Sequence, residues 1–526
     1  MAPSARPPRR AADPLIQAAK DPLPRATSAR PSTANQPATG NHKPFTGTLA
    51  VLRVVTFTSD HTIDRSIGSM TPHLKNKILI VAYPNQSHIN PSLRLANRLL
   101  KLGVDVTFVT SFYVIRHIDM ETTHHGLTFA PFSDGHDHGQ QPTTTLQQYI
   151  SDFATNGANA VADIISTAAE TGQPFDHLVY TTVLPWAAKV ANAHGLESSL
   201  LWCQSATVLD VYYHYFNGYE GLISCNNNQT FLISLPGLPS LTIADMPSFL
   251  LSSCPKEHEF ILQILKDHVE VLKTDPRILV NTFEELELGS IKAIEKLVML
   301  PVGPLVPSEF IVGRSPSCNS FSCDLFEKPD EDYINWLNTK PESSVLYVSF
   351  GSMATLSMDQ AEEMASGLLE SGRMFLWVIR DGDQAMKLSK IEMLKMHGMI
   401  VGWCSQVEVL NHHAIGCFLT HCGWNSTVEA LAAGVPTVVF PQWSEQATNG
   451  KMIEDVWKTG VKVKRRDGDG MVQGKEIKRC VEMVMEDGEM RKNAKKWSEL
   501  ARQALNNGGS STMNLQAFLS DAKNKG

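Results

Sequence analysis

At 526 residues the chain exceeds one ordinary hydrophobic core, so two domains are expected. With 43% hydrophobic and 19% charged residues it has the make-up of a globular enzyme, which excludes a disordered or fibrous class. The net charge of −8 argues against nucleic acid as a partner.

In chain order, residues 1–74 come first and are rich in Pro, Ala, Ser and Arg. They lack any period that could bury a face, so they read as a disordered or artefactual extension, with Met70 as the natural start. A transit peptide fits poorly because of Asp13, Asp21 and the prolines. The apolar stretch 48–57 is broken by Arg53, and no stable membrane insertion is expected. The nine cysteines form no Cys-x-x-Cys pair and are odd in number, a pattern of reduced thiols in a cytoplasmic protein.

From Lys77 the pattern changes. Residues 78–82 form a short apolar run suited to a strand covered on both faces. A loop, Tyr83-Pro84-Asn85-Gln86-Ser87-His88, leads to a helical pattern through Leu93, Leu95, Ala96, Leu99 and Leu100, then a strand at 104–110. Further strands are expected at 178–180, 199–202 and 278–281, with a helix at 186–193. A second alternating set follows: strands at 345–350, 375–379, 417–420 and 438–440, with helices at 360–369 and 425–433. Residues 313–332 lack periodicity and read as a linker between domains at 75–312 and 333–526. The fold class is therefore α/β, two facing doubly wound domains, with ligands beyond the carboxyl ends of the strands.

Between a buried strand and a helix start lies His421-Cys422-Gly423-Trp424-Asn425-Ser426. A helix N-terminus offers unpaired N–H groups and positive dipole charge to a diphosphate. Gly423 lets the backbone approach, and His421, Asn425 and Ser426 can donate to phosphate oxygens. Trp403 offers a stacking face, Gln406 an amide, and Glu429 a carboxylate for paired hydroxyls. Glu445 and Gln446 follow the next strand. This constellation resembles the sugar-nucleotide motif of the plant family 1 UDP-glycosyltransferases. The stretch 202–208, the Tyr- and Phe-rich stretch 212–219 read as a helix, and the segments 235–239 and 246–250 look closest to the anthocyanin 5-O-glucosyltransferase group. The likeness runs from about residue 75 to about 517.

The resemblance implies a GT-B architecture whose last helix packs back on the N-terminal domain, in a protein expected to be a monomer. It implies an inverting transferase that takes a UDP-sugar, with uracil on Trp403 and Gln406 and ribose on Glu429. Ser352, Cys404, His421, Gly423, Trp424, Asn425 and Ser426 then complete the nucleotide site, and Glu445 and Gln446 hold the sugar, with Gln446 pointing to glucose. No metal or other cofactor is expected. Asp381-Gly382-Asp383 and Asp467-Gly468-Asp469 read as turns, and His136 and His138 as an acidic surface loop. His412, His413 and Trp443 read as packing or surface positions.

His88 resembles the family's general base. Ser87 stands where a glycine is usual, and a left-handed backbone there would strain the loop. Thr181 stands where many members carry the aspartate that orients the histidine. Lacking that charge, the enzyme is expected to favour acidic acceptors: aromatic phenols, flavonoids or carboxylic acids. The competing readings are a catalytically weak UDP-sugar binder and a nucleotide-sugar oxidoreductase or epimerase. The latter is opposed by the absence of Gly-x-Gly-x-x-Gly after the first strand.

Overall fold

The computed structural model describes residues 76–118, 125–226, 228–307, 332–380 and 382–523. The extension at 1–74, nearly all of the linker and Asp381 lie outside the described residues.

The first half is a parallel sheet of β1 (Lys77–Val81), β2 (Asp105–Val109), β3 (Leu127–Phe129), β4 (His177–Thr181), β5 (Ser198–Trp202), β8 (Arg277–Val280) and β9 (Val298–Pro301), in the order β3-β2-β1-β4-β5-β8-β9. Between β5 and β8 an antiparallel pair, β6 (Leu232–Ile233) and β7 (Leu241–Thr242), stands outside the sheet. The apolar run of β1 is explained by two covered faces. Leu79 and Val81 enter one core, while Ile78 and Ile80 enter the core on the other side. Into that second core the Ser510–Lys523 helix inserts Leu515, Phe518 and Leu519, and Asn514 Nδ2 donates to Pro301 O at 3.0 Å.

The second half repeats the design with β10 (Val345–Ser349), β11 (Met374–Val378), β12 (Gly398–Val401), β13 (Ile415–Thr420), β14 (Thr437–Val439) and β15 (Gly460–Lys462), all parallel, in the order β12-β11-β10-β13-β14-β15. Leu346 and Val348 face one core, Val345 and Tyr347 the other. In each sheet the strand order reverses beside the first strand, between β1 and β4 and between β10 and β13. A crevice opens beyond the strand ends at such a point.

Two local expectations are corrected. The Gln86–Lys101 helix starts before His88, so His88 sits in its first turn rather than in a loop. Asn85 caps it, accepting the Ser87 N–H at 3.0 Å, and Ser87 has no positive φ, so the expected strain is absent. The aromatic stretch after Tyr212 is not one regular helix: Ala206–His214 is helical, and the chain then turns at Asn217 and Gly218.

Candidate functional site

One cleft of about 1000 Å³ lies between the two sheets. It is lined by Ser352, Trp403, Cys404, Gln406, His421, Gly423, Trp424, Asn425, Ser426, Glu429, Glu445 and Gln446 from the second half and by His88 from the first. Thr181 does not line it. That residue is fully buried at the end of β4, and its Oγ1 accepts the Tyr83 N–H at 3.0 Å. The cleft wall instead carries the next two residues, Thr182 and Val183.

The wall expected to take the nucleotide is set by the chain leaving β10 and β13. The His421 imidazole lies between two glycines: a Cβ on Gly351 would fall 2.7 Å from its Cε1, and one on Gly423 2.6 Å from its Nε2. Gly423 thus makes room for the histidine. Burial, helped by the Arg380 guanidinium, lowers His421 to about 4, so its ring is neutral at physiological pH. Arg380 was not singled out from sequence. It donates to the carbonyls of Ser352 and Ala354 and fixes the loop after β10. The turn into the Trp424–Ala433 helix passes through Cys422, whose φ of 63° is unusual for a residue with a side chain. Asn449 Nδ2 secures that turn on Cys422 O at 2.9 Å.

Gln406 Nε2 donates to Ser426 Oγ at 2.9 Å and to Glu429 Oε2 at 2.7 Å, which draws three of the expected ligands into one polar cluster beside Trp403. Trp424 lines the cleft, but its ring is turned inward. Its ring is 2% exposed and packs with Phe283 and Trp457, and its Nε1 donates to Asn281 O at 2.7 Å. Only its backbone serves the cleft, where its N–H reaches Glu445 Oε1 at 3.4 Å. Glu445 is buried, which raises its pKa, and accepts Ser444 Oγ at 2.6 Å and Gln204 Nε2 at 3.3 Å. Gln446 Oε1 accepts the N–H groups of Gln442 and Trp443 at 2.7 and 3.1 Å.

On the opposite wall His88 meets the edge of Tyr83, ring centroids 5.3 Å apart. Burial lowers it to about 4, and its Nδ1 has no hydrogen-bond partner. Among the described residues no carboxylate bonds to its ring. A second buried histidine, His268, accepts the Val183 N–H at 3.0 Å and holds that residue at φ 80°. Around this end the wall is apolar: Ile150, Val183, Phe249, Ile261, Ile264 and Leu265. Trp443, read from sequence as a packing residue, packs edge-on against Phe249 at 5.7 Å and also lines the cleft.

A further bond between the two walls starts from a proline. Pro91 lies inside the Gln86–Lys101 helix and lacks the N–H that would bond the carbonyl four residues earlier, that of Ser87. Asn425 Nδ2 donates to that carbonyl at 3.0 Å.

Among the described residues, no group of three or more His, Cys, Asp or Glu side chains is placed to hold a metal ion. His136 pairs with Asp152 at 3.0 Å, and Asp469 pairs with Arg466. No helix among the described residues is long and apolar enough to cross a membrane.

The family model for UDP-glucoronosyl and UDP-glucosyl transferase matches residues 305–504. A chloroplastic crocetin glucosyltransferase of Gardenia jasminoides is 50% identical over 85% of this chain and 97% of its own. An anthocyanidin 3-O-glucoside 5-O-glucosyltransferase of Verbena hybrida is 46% identical over 84% of this chain and 98% of its own. The crystal structure of Os79 from O. sativa in complex with UDP superposes with a TM-score of 0.75 at 31% identity, covering 85% of this chain and all of that one.

Proposed function

The chain belongs to the plant family 1 UDP-glycosyltransferases, and on that premise we propose that it moves glucose from UDP-glucose to an acidic hydroxyl or a carboxyl of a small aromatic or carboxylic metabolite. It is an inverting enzyme of GT-B fold. In the proposed reaction the acceptor oxygen attacks the anomeric carbon from the face opposite the diphosphate. The C–O bond to the phosphate breaks, UDP leaves, and the acceptor's proton passes to His88. Residues 75–312 would take the acceptor and residues 333–526 the UDP-sugar.

The observation that carries this reading is the shared cleft: a neutral His88 on an apolar wall faces the Gln406–Ser426–Glu429 cluster and the Glu445–Gln446 pair. A neutral imidazole is ready to take a proton. The preference for phenols and acids is supported by the unpartnered Nδ1 of His88, since nothing charged bonds to the imidazolium that forms. The leaving diphosphate would be held by the helix N-terminus at Trp424–Ala433 with His421, Asn425 and Ser426, without a metal ion. The seven described cysteines are all free, which supports action in a reducing compartment such as the cytoplasm.

The test is a screen of phenols, flavonoids and carboxylic acids with UDP-glucose, read by mass spectrometry, run alongside His88→Ala. Products that add one hexose, that carry a β-linkage and that vanish in the variant are expected. Tight UDP binding without turnover on any acceptor would favour the alternative of a weak UDP-sugar binder.

A further inference from the structure

The residues expected to hold the sugar, Glu445 and Gln446, follow a loop whose shape is not set by the second half alone. Ser444 has a φ of 60°, a left-handed backbone that costs a side-chain-bearing residue free energy unless its surroundings hold it. Both of its backbone groups bond to one residue of the first half. The Ser444 N–H donates to Ser248 Oγ at 2.7 Å, and the Ser248 N–H donates to Ser444 O at 2.9 Å. Ser444 Oγ in turn donates to Glu445 Oε2 at 2.6 Å. A continuous set of hydrogen bonds thus runs from Ser248 through Ser444 to the buried carboxylate.

The segment bearing Ser248 is itself anchored on the same second-half elements. Asp245 is buried, its Oδ1 accepts Lys462 Nζ at 3.0 Å, and its backbone oxygen accepts Thr448 Oγ1 at 2.6 Å. Its Oδ2 accepts the N–H and hydroxyl of Thr242 at 3.0 and 2.7 Å. The residue after Ser248 is Phe249, part of the apolar acceptor wall and in edge contact with Trp443. One short stretch therefore grips the sugar-side loop on one flank and shapes the acceptor wall on the other.

We propose that Ser248 is a positioning residue for the donor sugar: from the acceptor-side half it fixes the left-handed turn at Ser444 and so aims the Glu445 carboxylate at the sugar. This rests on the reading of Glu445 as a sugar ligand. It follows that the glucose part of the donor is sensed by both halves.

Binding of UDP and of UDP-glucose to the full chain, measured by calorimetry, separates these parts without an acceptor. Ser248→Ala is expected to weaken UDP-glucose by about tenfold, the loss typical of one hydrogen bond in a charge-assisted set, while UDP stays within about twofold. Ser248→Thr, which keeps the hydroxyl, should restore most of the affinity. Glu445→Gln serves as the control for the underlying reading and should weaken UDP-glucose selectively. If Ser248→Ala leaves UDP-glucose unchanged while Glu445→Gln weakens it, the positioning role is wrong and the sugar reading stands. If Glu445→Gln also leaves UDP-glucose unchanged, the sugar reading is the one that fails. A parallel loss of UDP and UDP-glucose in Ser248→Ala would overturn the proposal as well, by showing a general collapse of the site.

Discussion

Asp210, on the Ala206–His214 helix, offers a test of the buried electrostatics on which the rest depends. Its side chain is fully buried, neither carboxyl oxygen has a hydrogen-bond partner, and burial together with the Glu287 carboxylate raises it to about 9. Glu287 is buried too, but it accepts the N–H groups of Ala206 and Thr207 at 3.0 Å each and the Thr207 hydroxyl at 2.7 Å. Asp210 is thus protonated in the folded protein at neutral pH and ionised in the unfolded chain. The folded state binds the extra proton, so stability falls as pH rises between the unfolded value near 4 and the folded value. Each pH unit in that window costs about 1.4 kcal/mol, so raising pH from about 5 to about 8 removes up to about 4 kcal/mol through this residue. Asp210→Asn keeps the shape and cannot ionise. For a folded body of this size that corresponds to roughly 4 °C in melting midpoint. The assay is the melting midpoint of wild type and Asp210→Asn at acidic, neutral and mildly alkaline pH. The variant should gain on wild type steadily as pH rises. A constant difference across that range would refute the argument, because it would mean that Asp210 keeps the same charge in both states.

Four further outcomes follow from the same geometry. His88→Ala should lower kcat by about a hundredfold or more while UDP affinity, measured by calorimetry, holds. Thr181→Asp should raise kcat/KM selectively for the least acidic acceptors in a series of graded pKa; an equal effect on all of them would show that charge at this position does not reach the base. Pro91→Ala should let the helix reclaim the Ser87 carbonyl that Asn425 uses, and weaken UDP-glucose binding by a few-fold, as read by calorimetry. His88, His177, His268 and His421 are lowered to about 4, 3, 3 and 4 by burial, so each favours the folded state above its unfolded value near 6.5 and loses that contribution as pH falls through the window below it. A steep drop in the melting midpoint between about pH 6.5 and about pH 4, eased by His177→Asn, is expected.

The legible parts of this chain share one property: their meaning is local. β1 and β10 stand out because strands covered on both faces need unbroken apolar runs, and the nucleotide wall stands out because its residues lie between Trp403 and Gln446. What stayed hidden depends on partners far away in sequence. Nothing near Thr181 shows that its hydroxyl is taken by Tyr83, nothing near Trp424 shows that its ring turns away to Asn281, and nothing near Ser248 points to Ser444. Pro91 is instructive in another way. In the folded chain it sits inside the helix, and the cost of its missing bond is offset by a contact across the cleft.

The two imidazoles facing the cleft show how one physical device serves two ends. Burial keeps both His88 and His421 neutral, but their neighbours differ. His421 has the Arg380 charge beside it and two glycines close against its ring, so a protonated form is opposed and the ring is held neutral; on the proposed reading it donates to the diphosphate. His88 has burial, the edge of Tyr83 and the neighbouring His268 around it. Its low pKa comes from burial, and negative charge brought to that wall would raise it. An anionic acceptor would supply that charge itself, whereas a neutral alcohol would ask an unaided base to generate it. On the proposed reading, the absence of a carboxylate at Thr181 makes the acceptor a part of the catalytic apparatus, and selectivity for acidic acceptors arises in the proton transfer as much as in the fit of the pocket.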